Sequence, residues 1–310
     1  VKSDKATVPL RKGKIMKVLS GFYYVEEDDS QQIFQTRARG NFRKKGQIPL
    51  VGDEVAFQAE NEREGLVMAI EGRKNILHRP PVSNVDLAII VVSVEDPKIP
   101  QKLIDRLLVS VESHKIQPLI YFTKLDILPA SRKLEFQSLR EMYCEIGYSC
   151  LDNLALKENL DQLKPYFQGK TVVTLGQSGV GKTTFLNNLL PGLNKETGEI
   201  SKALGRGRHT TRHVELHKVF SGLLADTPGF SSISFDHIEG EDLSEYFPEM
   251  KSRKADCKFR ECSHTHEPDC AIKEALEMGQ ITKSRYESYL DFYQEIMNRK
   301  PNYSKNIRRK

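Results

Sequence analysis

The sequence has no apolar run approaching the ~20 residues that a membrane-spanning helix needs, so no membrane partner is expected. Its opening stretch lacks the charged, apolar and small-residue order of a secretory signal, and the expected location is the cytoplasm. Cysteine is scarce, at 5 in 310 residues, which without an export signal argues against a disulfide framework. Excess charge is small too. A net charge of +5 does not describe a uniformly basic nucleic-acid binder, so any such role requires cations clustered in space. What remains, 38% hydrophobic and 29% charged, reads as a soluble globular chain, long enough for two or three domains of ~100–200 residues.

The positive charge is clustered in sequence. Arg37, Arg39, Arg43, Lys44 and Lys45 fall in one stretch without an anion, and the chain ends Lys305-Asn306-Ile307-Arg308-Arg309-Lys310. Each run is also compatible with a plain solvated face. Residues 1–12 read as a flexible lead. Residues 13–72 read as short strands punctuated by Gly21, Asp28-Asp29, Gly40, Pro49, Gly52-Asp53 and Gly65, which suggests a small barrel or sandwich. Arg73 to Pro81 reads as a linker. From there to residue 235, apolar runs at 87–94, 118–122, 171–175 and 222–226 suit strands buried on both faces of a mostly parallel sheet. Helical patterns at 101–113, 131–146 and 182–190 alternate with them, the α/β signature. Residues 236–310 turn helical and polar, with a charged helix near 281–299.

Gly176-Gln177-Ser178-Gly179-Val180-Gly181-Lys182-Thr183 fits G-x-x-x-x-G-K-[ST], between an apolar strand and the helical pattern at 182–190, and Thr184 joins the expected nucleotide-binding residues. The glycines let successive N–H groups turn toward phosphate oxygens, and the helix N-terminus adds partial positive charge. Lys182 is expected to reach the β- and γ-phosphates and Thr183 to ligate Mg²⁺. Asp226-Thr227-Pro228-Gly229 ends a buried run and matches D-x-x-G: Asp226 would hold Mg²⁺ through water and the Gly229 N–H would face the γ-phosphate. Between them, Gly205 to Arg212 reads as a mobile loop in which Thr211, with Thr210 as the competitor, completes the Mg²⁺ shell.

Thr123-Lys124-Leu125-Asp126 follows an apolar run, at the strand end where α/β sheets bind ligands, and resembles the guanine motif [NT]-K-x-D. Its aspartate would accept two hydrogen bonds that adenine does not offer. Ser149-Cys150 would supply the backbone contact to the guanine O6. Here the guanine motif precedes the phosphate loop instead of following D-x-x-G, so the motif order is circularly permuted. The D-x-x-G switch then leads straight into residues 236–310.

Cys257, Cys262, His264 and Cys270 offer three thiolates and an imidazole, the composition of a closed structural Zn²⁺ site, with His266 as the competing ligand. So short a knuckle has too little apolar content to fold without metal.

Taken together, TKLD ahead of GQSGVGKTT, then GRGRHTTRHVEL, DTPGF and CKFREC, with RGNFRKK and RPPVSNVDLA upstream, resemble the ribosome small-subunit-dependent GTPases, the RsgA-like family. The resemblance implies an N-terminal all-β OB-fold barrel, a circularly permuted α/β P-loop GTPase domain and a small helical zinc-binding domain. It implies GTP/GDP, Mg²⁺ and one structural Zn²⁺ as cofactors. It also implies binding to 16S rRNA and a role in late maturation of the small (30S) ribosomal subunit. Phe22, Tyr23, Tyr24, Phe34 and Phe42 in the barrel segment are candidates to stack on bases. Phe230 stands where a water-orienting Gln often follows D-x-x-G and cannot hydrogen-bond water, so a partner or another residue must do so. His209 is the candidate in the chain, and the resemblance favours it. Gly179 stands where K⁺-dependent relatives carry Asn, so no K⁺ dependence is expected. A monomer is the default. Two other readings compete: a nucleotide switch unrelated to the ribosome, and an RNA-binding module with a vestigial phosphate loop, against which Lys182, Thr183 and Asp226 speak.

Overall fold

Five strands build the first unit: β1 (Leu10–Leu19), β2 (Phe22–Glu27), β3 (Ile33–Ala38), β4 (Glu54–Asn61) and β5 (Glu64–Ile70), with the one-turn helix α1 (Asn41–Lys44) after β3. The computed structural model describes residues 8–44, 46–78, 80–152, 157–191, 214–226 and 235–299. Strand β1 is long enough to pair twice. Its first half, Leu10 to Lys14, lies antiparallel to β4, and Gly13 to Leu19 lies antiparallel to β2, with a bulge between Ile15 and Lys17. That double pairing closes the order β1-β2-β3-β5-β4 into an OB-like barrel. Gly13 permits it, because a Cβ there would stand 2.3 Å from the Glu26 carbonyl oxygen. Ile15, Val25, Phe34, Phe42, Val55, Phe57 and Val67 fill the interior. Strand β1 starts at Leu10, within the stretch 1–12 that reads in the sequence as a lead.

The expected linker is structured. Residues on either side of Pro80 pair as β6 (Ile76–His78) and β7 (Pro81–Ser83), burying Leu77 and Val82. Arg73 clamps the approach: its guanidinium meets both oxygens of the fully buried Asp53 at 2.7 Å, and Ser83 Oγ donates to the same carboxylate at 2.6 Å. Runs of three residues carry too little periodicity to read as strands.

The central unit follows the expected alternation: β8 (Leu87–Ser93), α2 (Gln101–Ser113), β9 (Gln117–Thr123), α3 (Lys133–Ile146), β10 (Ser149–Leu151), α4 (Lys164–Phe167), β11 (Thr171–Leu175), α5 (Lys182–Leu189), β12 (Glu215–Val219) and β13 (Gly222–Asp226). Strands β10-β9-β8-β11-β13 run parallel, and β12 adds an antiparallel edge. Every residue of β8 and β11 is buried, which is why those runs lack alternation. Beyond β12 the sheet continues into the barrel. Lys17 of β1 lies opposite Glu215 and pairs with it at 2.7 Å, and Lys218 reaches Glu26 at 2.8 Å.

The last unit packs α6 (Pro248–Lys251), α7 (Ala271–Glu277) and α8 (Lys283–Met297) around Phe235, Ile238, Phe247, Met250, Ile272 and Phe292. Val109 of α2 belongs to this core, whereas Ile104, Leu107, Leu108 and Val111 of the same helix face the central sheet. Helix α2 is therefore apolar on two faces and serves two cores at once.

Candidate functional site

The C-terminal ends of β8, β9, β11 and β13 meet at one rim, the place where parallel α/β sheets bind ligands. At the centre, β11 breaks into the phosphate loop and resumes as α5. Gly176 leaves the strand at φ 144°, and a Cβ there would stand 2.5 Å from the Val91 carbonyl oxygen of the neighbouring strand. Gly181 caps α5 in the left-handed region at φ 95°. Both positions require glycine, one for space and one for conformation. Val180 between them is buried and anchors the loop, while Gln177, Ser178 and Gly179 are exposed at its tip.

Lys182 opens α5 and folds back over the loop, donating from Nζ to the carbonyl oxygens of Gly176 (2.6 Å) and Gln177. Burial pulls its pKa down to about 8. An anion in the loop would reverse that pull. Thr183 is half-buried on the first turn and Thr184 is exposed. Asp226 ends β13, which runs parallel to β11 with Ala225 opposite Val173, so its backbone lies at the same rim. Its side chain, Gly229 of the D-x-x-G motif, and the whole of Gly205 to Arg212 with His209, Thr210 and Thr211, lie outside the described residues.

The guanine motif is tied to the phosphate loop. Thr123 is buried at the end of β9, and its hydroxyl donates to the Val180 carbonyl oxygen at 2.7 Å. Lys124 follows in the left-handed region at φ 62° and donates to the Asp96 carbonyl oxygen. Asp126 sits in the next short turn with its carboxylate exposed. Ser149 and Cys150 fall on β10, opposite Leu119 and Ile120 of β9 and half-buried, and burial pushes the Cys150 thiol far above its ordinary range. The structure thus ties Thr123, at the head of the turn that carries Lys124 and Asp126, to the phosphate loop although it lies far ahead of it in the chain.

The second cluster lies in the last unit. The donor atoms of Cys257, Cys262, His264 and Cys270 all fall within 4.8 Å of one another. His264 Nδ1 is 3.6 Å from Cys257 Sγ and 3.5 Å from Cys270 Sγ, and the two sulfurs are 3.9 Å apart. A tetrahedral ion with metal–ligand distances of ~2.0–2.3 Å spaces its ligand atoms by about 3.6–3.8 Å, so the donor set fits such an ion. Burial lowers the His264 pKa, which favours the neutral ring that ligates, and pushes the Cys262 thiol up to about 12. His266 is exposed and faces Thr265 Oγ1 at 2.8 Å instead. The chain around the cluster is pinned by Tyr286, which donates to the His264 carbonyl oxygen at 2.7 Å, and by Tyr289, which donates to that of Ser263 at 2.8 Å. His264 Nε2 is buried without a hydrogen-bond partner among the described residues, a departure from the usual outer-shell support of a ligating imidazole.

The barrel offers fewer stacking groups than its sequence suggested. Phe34 and Phe42 are core; Phe22, Tyr23 and Tyr24 remain half-exposed, and Arg37 stands over the Phe22 ring at 4.6 Å. Arg37 and Arg39 are exposed; Lys45 and the basic tail lie outside the described residues.

Sequence reasoning missed one buried constellation. Arg285 of α8 is fully buried between Asp105 of α2 (2.6 Å) and Glu249 of α6 (2.7 Å). Ser288 and Tyr143 also donate to Asp105, at 2.6 and 2.7 Å. The signal was a lone charge at an apolar position of each helix, visible only once the partners are known.

The family description RsgA GTPase matches residues 70–236, and RsgA N-terminal domain matches residues 12–67. A "Small ribosomal subunit biogenesis GTPase RsgA" of Streptococcus agalactiae serotype III (strain NEM316) is 50% identical over 298 residues, covering 96% of this chain and 99% of that protein. Its namesake in Streptococcus pneumoniae serotype 4 (strain ATCC BAA-334 / TIGR4) is 50% identical over 293 residues, covering 94% and 97%. Among solved structures, YloQ, described as a circularly permuted GTPase, superposes with a TM-score of 0.82 at 43% identity, covering 98% of this chain and 100% of that one. YjeQ from Thermotoga maritima superposes at 0.81 with 31% identity, covering 94% and 100%. With its guanine motif ahead of its phosphate loop and near full-length relatives at half identity, the chain belongs to the RsgA family of circularly permuted GTPases.

Proposed function

We infer that this chain is a GTPase acting in biogenesis of the small ribosomal subunit, and that it works as a nucleotide-dependent switch binding 16S rRNA late in that process. The observation that carries the reading is the hydrogen bond from Thr123 to the Val180 carbonyl oxygen, which joins a base-reading loop to a phosphate-gripping loop across one rim. GTP or GDP would lie with its base at Asp126, beside the Ser149-Cys150 strand end, and its phosphates over residues 176–184. Thr183 supplies a hydroxyl to Mg²⁺, with Asp226 and Thr211 as the further Mg²⁺ groups; the metal offsets charge on the phosphate oxygens. His209 is the candidate for orienting water, and Gly229 for contacting the γ-phosphate. Cys257, Cys262, His264 and Cys270 hold one structural Zn²⁺. Its donor set of three thiolates and one imidazole leaves no open position, which suits a structural ion rather than a catalytic one. Exposed Arg37 and Arg39, with Phe22, supply cations and a π-face for RNA at the barrel. The protein acts as a cytoplasmic monomer with domains divided near residues 72 and 235.

The test is co-sedimentation of the full chain with purified small subunits in GDP and in a non-hydrolysable GTP analogue. Tighter association with the analogue, and hydrolysis raised ~10³-fold or more by the subunits, are expected. Equal association in both nucleotides together with unstimulated hydrolysis would refute the ribosomal role.

A further inference from the structure

One wall of the nucleotide cleft is the segment between β8 and α2, which touches both nucleotide motifs. Pro97 Cδ lies 3.6 Å from where a Cβ on Gly179 would stand, and the Asp96 carbonyl oxygen accepts the Lys124 ammonium. The segment is stiff. It contains Pro97 and Pro100, Ser93 Oγ donates to the Pro97 carbonyl oxygen at 2.5 Å, and the Ile99 N–H returns to Ser93 at 3.2 Å.

At its far end this segment becomes α2, whose first residue, Gln101, points out of the GTPase unit. Gln101 Nε2 donates to Ser284 Oγ at 2.8 Å and approaches Met142 Sδ at 3.6 Å; Thr282 Oγ1 donates to the same sulfur at 3.3 Å. Ser284 and Thr282 lie at the N-terminal end of α8, in the module that carries the Cys/His cluster. Helix α2 is buried against two cores, so its first residue and the segment before it are the part of this wall that the Ser284 contact holds.

We propose that Gln101 is a positioning residue for nucleotide retention: through it, the N-terminus of α8 holds Asp96 and Pro97 against the phosphate loop and guanine motif, so the metal-binding module restrains GDP release. This rests on the nucleotide site assigned above. It acts through the segment after β8, which lies on the other side of β11 from β13, and needs no γ-phosphate. By linkage, bound nucleotide tightens the docking of the module to the same degree.

The experiment is stopped-flow release of a fluorescent GDP analogue from the full-length chain. Gln101→Ala and Ser284→Ala should each speed release by about 5-fold, the low end of ordinary coupling between sites. Their double variant should be no faster than the faster single, since both remove one contact. Lys102→Ala is the control. It breaks the 2.5 Å Lys102–Asp291 pair on the same α2–α8 face without touching the segment, and should leave release unchanged. Wild-type release rates in both singles, additive effects in the double, or an equal acceleration by Lys102→Ala would each overturn the proposal. If the unmodified chain fails to retain the analogue at all, the nucleotide-site assignment falls first and the restraint with it.

Discussion

Asp126 stands exposed in a short turn after β9, three residues beyond the Thr123 that bonds the phosphate loop. Its power to select guanine would come from leaving a carboxylate unpaired against any other base, an effect that reaches ~10⁴-fold when a site's polar group goes unmatched. Asp126→Asn should therefore move preference from guanosine to xanthosine nucleotides, read by competition binding; retained guanine preference would undo the assignment. Lys182 makes a second prediction at this scale. Burial depresses its pKa from 10.5 to about 8, so between those values the folded chain holds fewer protons than the unfolded one, and stability without nucleotide rises with pH across that window. Polyphosphate beside the ammonium favours the charged form. Binding of GDP near pH 8 should then take up a proton, seen in calorimetry as a heat that depends on the buffer's ionisation enthalpy. Buffer-independent heat would contradict it.

Among elements, those that alternate apolar strands with longer helices were legible: α2 spans the residues its pattern indicated, and β11 does too. The hairpin β6–β7 was not legible, because its order comes from partners distant in sequence. Asn75 donates to the Val85 carbonyl oxygen at 2.7 Å, Asn84 to that of Gly52 at 3.0 Å, and Arg73 clasps Asp53. The phosphate loop and the cysteine knuckle announced themselves through residue type and spacing, whereas the Asp105–Arg285–Glu249 triad has no spacing to read. Knuckle and helices α7 and α8 also differ in what sustains them. The knuckle is pinned by Tyr286, Tyr289 and Glu267, whose carboxylate accepts from Ser263 N and Oγ at 2.8 and 2.6 Å. Burial alone would raise the Glu267 pKa, but these donors bring it down to about 2. Its share of stability is full above the ordinary carboxylate pKa and is lost as pH falls from there through about 2. Metal analysis should find one zinc per chain, lost in His264→Ala and kept in His266→Ala. Chelation should raise protease sensitivity within 257–270, and an unchanged cleavage pattern after zinc removal would contradict a structural ion.

For the molecule as a whole, three cores are joined more closely than a beads-on-a-string order implies. Helix α2 lends one face to the GTPase sheet and another to the unit that carries the Cys/His cluster, and Arg285 crosses that junction with no exposed surface. Removing one partner of a buried, hydrogen-bonded ion pair costs about 3–5 kcal/mol, because the other charge is left without a counterpart. Arg285→Ala should cost about that much in denaturant unfolding of the full chain, whereas Lys283→Ala, at an exposed pair with Glu287, should cost about 1 kcal/mol or less. Comparable losses in both would mean that the triad contributes no more than a surface pair. The joining of β12 to β1 has a consequence of a different kind. An isolated GTPase sheet would offer β12 to any passing strand, and an open barrel would offer β1 or β4; here β1 closes on β4, and the start of β12 meets β1 at Lys17–Glu215. Among the described residues, the eleven-stranded sheet keeps one free margin on the GTPase side, along the three residues of β10. So short a border is a poor template for another chain's backbone, and the architecture thereby guards itself against sheet-to-sheet association while its nucleotide rim stays open.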